Sequence, residues 1–200
     1  MTVGFAVTGS FCTYAEVFPV MELLARDYRV IPIFSQASGT LDSRFGAARE
    51  HIQQAAEICG CVPLVTIPQG EPIGPRKLLD ALIVAPCTGN TLAKLSHGIA
   101  DTAVTMAAKS HLRNGRPVIL AISTNDGLAA AAENLGRLLA RKHYYFVPFR
   151  QDDPKNKPNS LSQTSPKSQK LWMPPWRADR CSRSCCKAKP GGSPPGFTII

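Results

Sequence analysis

The residues of this chain that could do chemistry are small, polar and gathered in short turns. Thr8-Gly9-Ser10-Phe11-Cys12-Thr13, Ser35-Gln36-Ala37-Ser38-Gly39-Thr40, Pro86-Cys87-Thr88-Gly89-Asn90-Thr91 and Ser123-Thr124-Asn125-Asp126-Gly127 each follow an apolar run. Hydroxyls beside the unpaired first amides of a helix suit an anion or an electron-rich ring. Ser10 and Thr13 supply such hydroxyls, and Thr88 or Asn90 can cap a helix carrying Leu92, Leu95 and Ile99. Taken alone, the first turn reads equally as a plain Ser or Thr N-cap; a second turn of the same type favours a ligand. Residues 35–40 read as part of such a site or as a solvated connection. The first turn is not GxGxxG, so a nicotinamide dinucleotide has little local support.

Regular elements must bring these turns together. Apolar runs at 3–7, 29–34, 62–67, 82–85, 117–122 and 144–149 read as strands, with Pro86 ending the central one for want of an amide. Helical periodicity marks 14–27, where Val17, Val20, Met21 and Leu24 share a face and Pro19 predicts a kink or a late start. It also marks 45–59, with Gly60 as stop and His51 off the apolar stripe, on the surface. Further helices are expected over 102–112, ended by Asn114-Gly115, and 128–142. Pro68, Pro72, Gly74 and Pro75 argue against regular structure in 69–77, a candidate lid or subunit contact. Alternating strands and helices predict an α/β fold: a three-layer, Rossmann-like or flavodoxin-type parallel sheet with helices on both faces. All the polar turns then share one edge, where ligands of open α/β sheets bind.

A chain of 200 residues with 44% hydrophobic content suits one α/β domain. No apolar run approaches the roughly 20 residues of a membrane span, which predicts a cytoplasmic protein without membrane contact. The net charge of +9 sits mostly beyond residue 150: the first 150 residues hold 14 Lys and Arg against 11 Asp and Glu, and the remainder 9 against 3. A mildly basic folded part argues against a nucleic-acid partner. Seven cysteines without a secretory signal argue against disulfides. The spacing of Cys59 and Cys61, and the lack of a histidine near Cys181, Cys185 and Cys186, argue against a metal site.

Residues 85–101, APCTGNTLAKLSHGIAD, resemble the PASANT-type signature of the flavin-binding Cys-decarboxylase superfamily. Taken with TGSFCTY at 8–14, the chain is closer to one branch of it, the flavoprotein-like B subunits of dipicolinate synthase from spore formers, over about residues 3 to 159. The resemblance implies FMN bound at subunit contacts, hence a homo-oligomer. Matching positions imply flavin contacts from Gly9, Ser10, Thr13 and Ser35, from Pro86, Cys87, Thr88, Gly89, Asn90 and Thr91, and from Ser123 and Asn125. Asn90 stands where the signature's asparagine positions a substrate carboxylate and the flavin, and is the catalytic candidate. Cys87 and Gly89 depart from the signature's Ala and Ala or Ser, and Ser123-Thr124-Asn125 from Ala-Met-Asn. The decarboxylases' catalytic histidine and cysteine flap have no counterpart, which speaks against decarboxylation.

The branch implies oxidation of dihydrodipicolinate to dipicolinate in the mother cell, with NAD(P) supplied by the partner A subunit. A dinucleotide-free chain agrees with that division of labour. Two other readings stand beside it: an FMN-dependent decarboxylase of the pantothenoylcysteine type, and a non-catalytic structural subunit. The implied substrate is a small dicarboxylate, and Lys109, Arg113 and Arg116 are either helix C-terminal charges or its clamps. His97 and His111 read as exposed helical histidines ahead of acid-base groups.

From residue 151 the composition changes: eight of the 17 prolines and both tryptophans lie beyond Asp152. Residues 151–200 read as a Pro-rich, basic tail, either disordered or translated out of frame. Relatives continue after a PNS segment into a helix and an EGRQ-like ending. Permitted codons for 171–185, shifted in frame, can spell VDAALEGRQVQPVL. That match favours the frame-shift reading for residues after about 160.

Overall fold

Apolar, β-branched runs build a sheet whose parallel core is covered on both faces. The computed structural model describes residues 1–163. Five parallel strands lie in the order β2 (Arg29–Phe34), β1 (Thr2–Val7), β3 (Ala81–Cys87), β4 (Val118–Thr124) and β5 (Tyr144–Phe146). This 2-1-3-4-5 order changes direction between β1 and β3, and the turns after those two strands flank the crevice so formed. Every residue of β3 is buried, as an unalternating apolar strand in a two-faced sheet requires. Pro86 does not end β3. A register shift against β4 between Val84 and Cys87 absorbs its missing amide, and the strand runs on to Cys87.

α1 (Tyr14–Asp27) and α3 (Ala48–Cys59) pack on one face over Val3, Phe5, Val7 and Ile83. α5 (Gly89–His97), α6 (Ala103–Leu112) and α7 (Ala132–Leu139) pack on the other over Ala6, Leu82, Val84 and Leu120. The three-layer expectation is therefore met. α1 runs through Pro19, because Ala15, whose carbonyl loses its partner, lies on the exposed side of the helix. α3 begins at Ala48 rather than 45, since Gly46 takes φ +129° and Asp42 accepts from the Ala48 amide at 2.8 Å. His51 is not a surface residue: only 9% exposed, its ring meets Tyr14 edge-on at 4.8 Å. Ala48, His51 and Ala55 form the buried stripe, and the alanines bring α3 close enough to α1 to enclose the imidazole.

Other differences have local causes. Residues 35–40 are not a loop: Ser35 caps a short helix, α2 (Gln36–Thr40), by accepting from the Ser38 amide. The strand expected at 62–67 shrinks to a single bridge at Leu64, because Pro63 and Pro32 of the facing strand both lack amides. Residues 69–77 are partly regular, with α4 (Ile67–Gly70) followed by a 3₁₀ turn at Glu71–Ile73. This segment packs along α6 and is no lid over the site described below. The helix expected from 128 starts only at Ala132, since the amides of Ala129 and Ala131 are held by the Asp126 carbonyl. Residues 149–163, placed by sequence largely in the tail, include β6 (Phe149–Gln151) and β7 (Leu161–Gln163). β7 is antiparallel to both β4 and β6, so the sheet is mixed at this end. The expectations for the rest of the tail, including Cys181, Cys185 and Cys186, lie outside the described residues. No helix among the described residues is long and apolar enough to cross a membrane, and no group of three His, Cys, Asp or Glu among them could hold a metal ion.

His111 is also not exposed. It is wholly buried in α6, with Nε2 donating to the Pro117 carbonyl at 3.1 Å. Burial lowers its pKa to about 4, so the folded chain binds fewer protons than the unfolded chain between that value and the ordinary histidine range. Stability held by the neutral ring is full above pH about 6.5 and falls as pH drops toward 4, by roughly 3 kcal/mol in all. Urea unfolding of wild type and His111→Gln at pH 7 and pH 5 checks this. The wild type should lose more stability between the two than the variant, whose amide keeps the donor without titrating.

Candidate functional site

The carboxyl ends of β1, β3 and β4 place three of the polar turns together. The Thr8 hydroxyl donates to the Pro86 carbonyl at 2.6 Å and accepts from the Thr88 amide at 3.2 Å, tying the 8–13 turn to the 86–91 turn. Ser10 Oγ lies 2.7 Å from Ser123 Oγ, tying the 8–13 turn to the 123–127 turn. Thr88 caps α5, its Oγ1 accepting from the Thr91 amide, so the start of α5 opens at the crevice between β1 and β3 with its partial positive charge. The remaining turn, 35–40, is reached through Ser38, whose hydroxyl donates to the Val7 carbonyl at 2.8 Å.

Two cavities open here, of about 570 and 480 Å³, within the range of small-molecule sites. Gly9, Thr88 and Asn90 line both of them. Ser10, Thr13, Gly89, Ser123 and Asn125 line the larger, and Ser35 and Thr91 the smaller. Ser10, Ser35 and Asn90, distant in sequence, thus border one continuous rim. Pro86 and Cys87 line neither cavity; both are buried in β3. Burial pushes the Cys87 thiol up to about 12, which keeps it protonated and inert.

Several lining residues carry no periodic or motif signal. Arg44 and Phe45 reach the larger cavity from the turn before α3, with the guanidinium 4.8 Å from the ring centre. Asp152, Lys157 and Ser160 reach it from the β6–β7 connection. Lys157 faces Asp152 at 3.7 Å, whereas Arg44 has no ion-pair partner among the described residues. The Asn90 side chain likewise has no hydrogen bond among the described residues, and is exposed at the junction of the cavities.

Two glycines shape the space differently. A Cβ at Gly89 would fall 2.7 Å from Thr124 Oγ1 and 2.9 Å from Asp126 Oδ1. The Thr124 hydroxyl donates to Asp126 and holds that carboxylate in place. Gly89 is therefore required by the neighbouring turn, which explains its departure from a signature with Ala or Ser. Gly9 has no such need: a Cβ there meets nothing closer than Ala37 Cβ at 3.6 Å. Its bareness instead leaves room in the space shared by the two cavities. Hydroxyls, amides and helix-start N–H groups around a long polar cleft fit a flavin mononucleotide, whose phosphate and ribityl chain need such donors.

The cations read as either helix C-terminal charges or dicarboxylate clamps lie away from this rim. Arg116 pairs with Asp80 at 3.4 Å and donates to the carbonyls of Lys77 and Leu79. Lys109 and Arg113 line a separate cavity beside the start of β5. They lie at the C-terminal end of α6, which in this winding points to the opposite edge of the sheet. His97 is exposed, with Nδ1 2.9 Å from the Ala93 carbonyl and Nε2 3.1 Å from Arg137, outside both cavities.

The family model for flavoproteins matches residues 1–150. The B subunit of dipicolinate synthase from Bacillus subtilis (strain 168) is 42% identical over 160 residues, 80% of each chain. The crystal structure of the corresponding B subunit from Bacillus halodurans C aligns with a TM-score of 0.74 at 41% identity, over 85% of this chain and 86% of that one. Burkholderia xenovorans DmrB in complex with FMN, a cubic protein cage for redox transfer, aligns with a TM-score of 0.59 over 72% of this chain and 86% of that one. At 21% identity, that last likeness is one of fold.

Proposed function

The chain belongs to the flavoprotein family, and we propose that it acts as the B subunit of a two-subunit dipicolinate synthase, oxidising dihydrodipicolinate to dipicolinate. The observation that carries this reading is the polar rim at the β1/β3 crevice, with the Asn90 side chain at its centre unpaired among the described residues, in a chain without a dinucleotide fingerprint. The oxidation removes two electrons and two protons from the dihydropyridine ring. A bound FMN supplies a two-electron acceptor at this edge; the alternative acceptor is the NAD(P) of an A subunit. Gly9, Ser10, Thr13, Ser35, Thr88, Gly89, Thr91, Ser123 and Asn125 would hold the flavin through hydroxyls and amides. The Asn90 amide would orient a substrate carboxylate. The protein would work in the mother-cell cytoplasm as a self-associating complex with its A subunit.

A dianionic substrate needs a cation at the site, and Arg44 is the lining cation without an anionic partner among the described residues. Arg44→Ala should raise KM for dihydrodipicolinate by about 10- to 100-fold with kcat little changed, the mark of lost uniform binding. Arg44→Lys should recover part of that loss. Steady-state kinetics with the A subunit present would measure it; unchanged KM in Arg44→Ala would assign the anchor elsewhere.

The test of the whole reading is an absorbance spectrum of the purified protein with and without FMN, followed by an assay with the A subunit. Flavin bands that persist through gel filtration, with product formed only when both subunits are present, support it. A colourless protein still required by the A subunit would reduce this chain to a structural role. Carbon dioxide released from a cysteinyl substrate would make it a decarboxylase instead.

A further inference from the structure

We propose that the chain carries a second ligand site, at the edge of the sheet opposite the flavin rim, for a planar molecule bearing two or more anionic groups. A cavity of about 560 Å³ lies there, between the ends of α5 and α6 and the segment leading into β5. Its position is fixed by Tyr144, which pairs with Val118 at the first residue of β4, whereas the flavin rim begins at the last residues of that strand. Leu95, Leu112 and Ile99 give it an apolar floor beside the Tyr144 ring, and Lys109, Arg113, Arg141 and Lys142 surround it. No carboxylate among the described residues lines it.

The obvious structural role of these cations is to offset helix C-termini. Arg141 does so in part, donating to the Leu95 carbonyl at 3.3 Å. The quantities do not balance, however. The ends of α5 and α6, with that of α7 just before Arg141, contribute about half a negative charge each, roughly one and a half in total, against four cations. None of the four has an ion pair among the described residues. A surplus of more than two positive charges around an apolar floor is matched by a ring carrying two or more anionic groups. Charge alone would suit any anion; the floor adds the demand for a flat, apolar body.

Two sources offer this chemistry. One is an aromatic dicarboxylate, the product class of the proposed reaction, which would make the site a product sensor and so rests on that reading. The other is a nucleotide, which does not. Isothermal titration calorimetry of the full chain at low salt, with pyridine-2,6-dicarboxylate, ATP and inorganic pyrophosphate as separate probes, tells them apart. The comparison is with Arg113→Glu/Lys142→Glu, two exposed positions outside the flavin rim. At least one ring-bearing probe should bind, with affinity lowered about tenfold or more by the double variant and by added salt. FMN binding should be the same in both proteins, so a failure of the flavin reading leaves this result interpretable. The proposal is overturned if neither ring-bearing probe binds, if charge reversal leaves their affinities unchanged, or if pyrophosphate binds as tightly as they do.

Discussion

Asn90→Ala is expected to lower synthase activity, measured with the A subunit and dihydrodipicolinate, by about 10²- to 10³-fold, the loss typical of removing an oriented donor. Its melting temperature should stay within about 2 °C of wild type, as for an exposed surface change. The two halves of this expectation have one source. The Asn90 amide is exposed and makes no hydrogen bond among the described residues, so the fold gains nothing from it. It nevertheless stands where the two cavities meet. Asn90→Asp sharpens the test. A carboxylate in the first turn of α5 favours the helix, yet repels an anionic substrate, so stability should hold or rise while activity falls. A parallel loss of melting temperature and activity would mean that Asn90 supports the fold and has no part in the chemistry.

The largest stability effect is expected far from that rim, at Gly74. A Cβ there would lie 2.6 Å from the carbonyl oxygen of Ser110, a backbone atom of α6 that cannot swing away. The segment cannot retreat freely either, since the Gly74 carbonyl accepts from Asn114 at 2.9 Å and neighbouring Ile73 is buried. Gly74→Ala should therefore destabilise by about 3 kcal/mol, or roughly 10 °C in melting temperature for a domain of this size. Gly136→Ala is the control of opposite sign: nothing lies within 4 Å of a Cβ there and α7 gains a better helix former. It should add about 0.5–1 kcal/mol. Urea titrations of both variants against wild type test the pair.

Much of the fold was legible because period and composition agreed. Residues 14–27 read as a helix and are one to the residue, and the unbroken apolar run around Ile83 reads correctly as a strand covered on both faces. What failed were positions decided by partners distant in sequence. His51 looks solvent-facing on a helical wheel drawn from Phe45, but Gly46 delays α3 and turns His51 toward Tyr14. His111 lies in an apolar helix whose whole length is covered. The polar turns were readable as a set rather than singly, since each follows an apolar run and the carboxyl ends of parallel strands share one edge. Arg44 and Lys157 were not, because irregular segments carry no period and their approach depends on tertiary packing. Lys109 and Arg113 were visible as cations, but only the winding of the sheet tells which edge they occupy.

The hairpin of β6 and β7 gives this site an unusual wall. Ser160 donates to the Thr124 carbonyl, the Leu128 amide donates to the Asn159 carbonyl, and a Cβ at Gly127 would strike Leu161. Leu161 and Ser162 therefore belong both to the sheet and to the larger cavity, and Ser160, just before β7, lines the cavity too. By thermodynamic reciprocity, a molecule that touches them binds more weakly when the hairpin peels away, and holds the hairpin down by the same free energy when it is bound. Occupancy of the rim and closure of the last described strand are then one equilibrium seen from two ends.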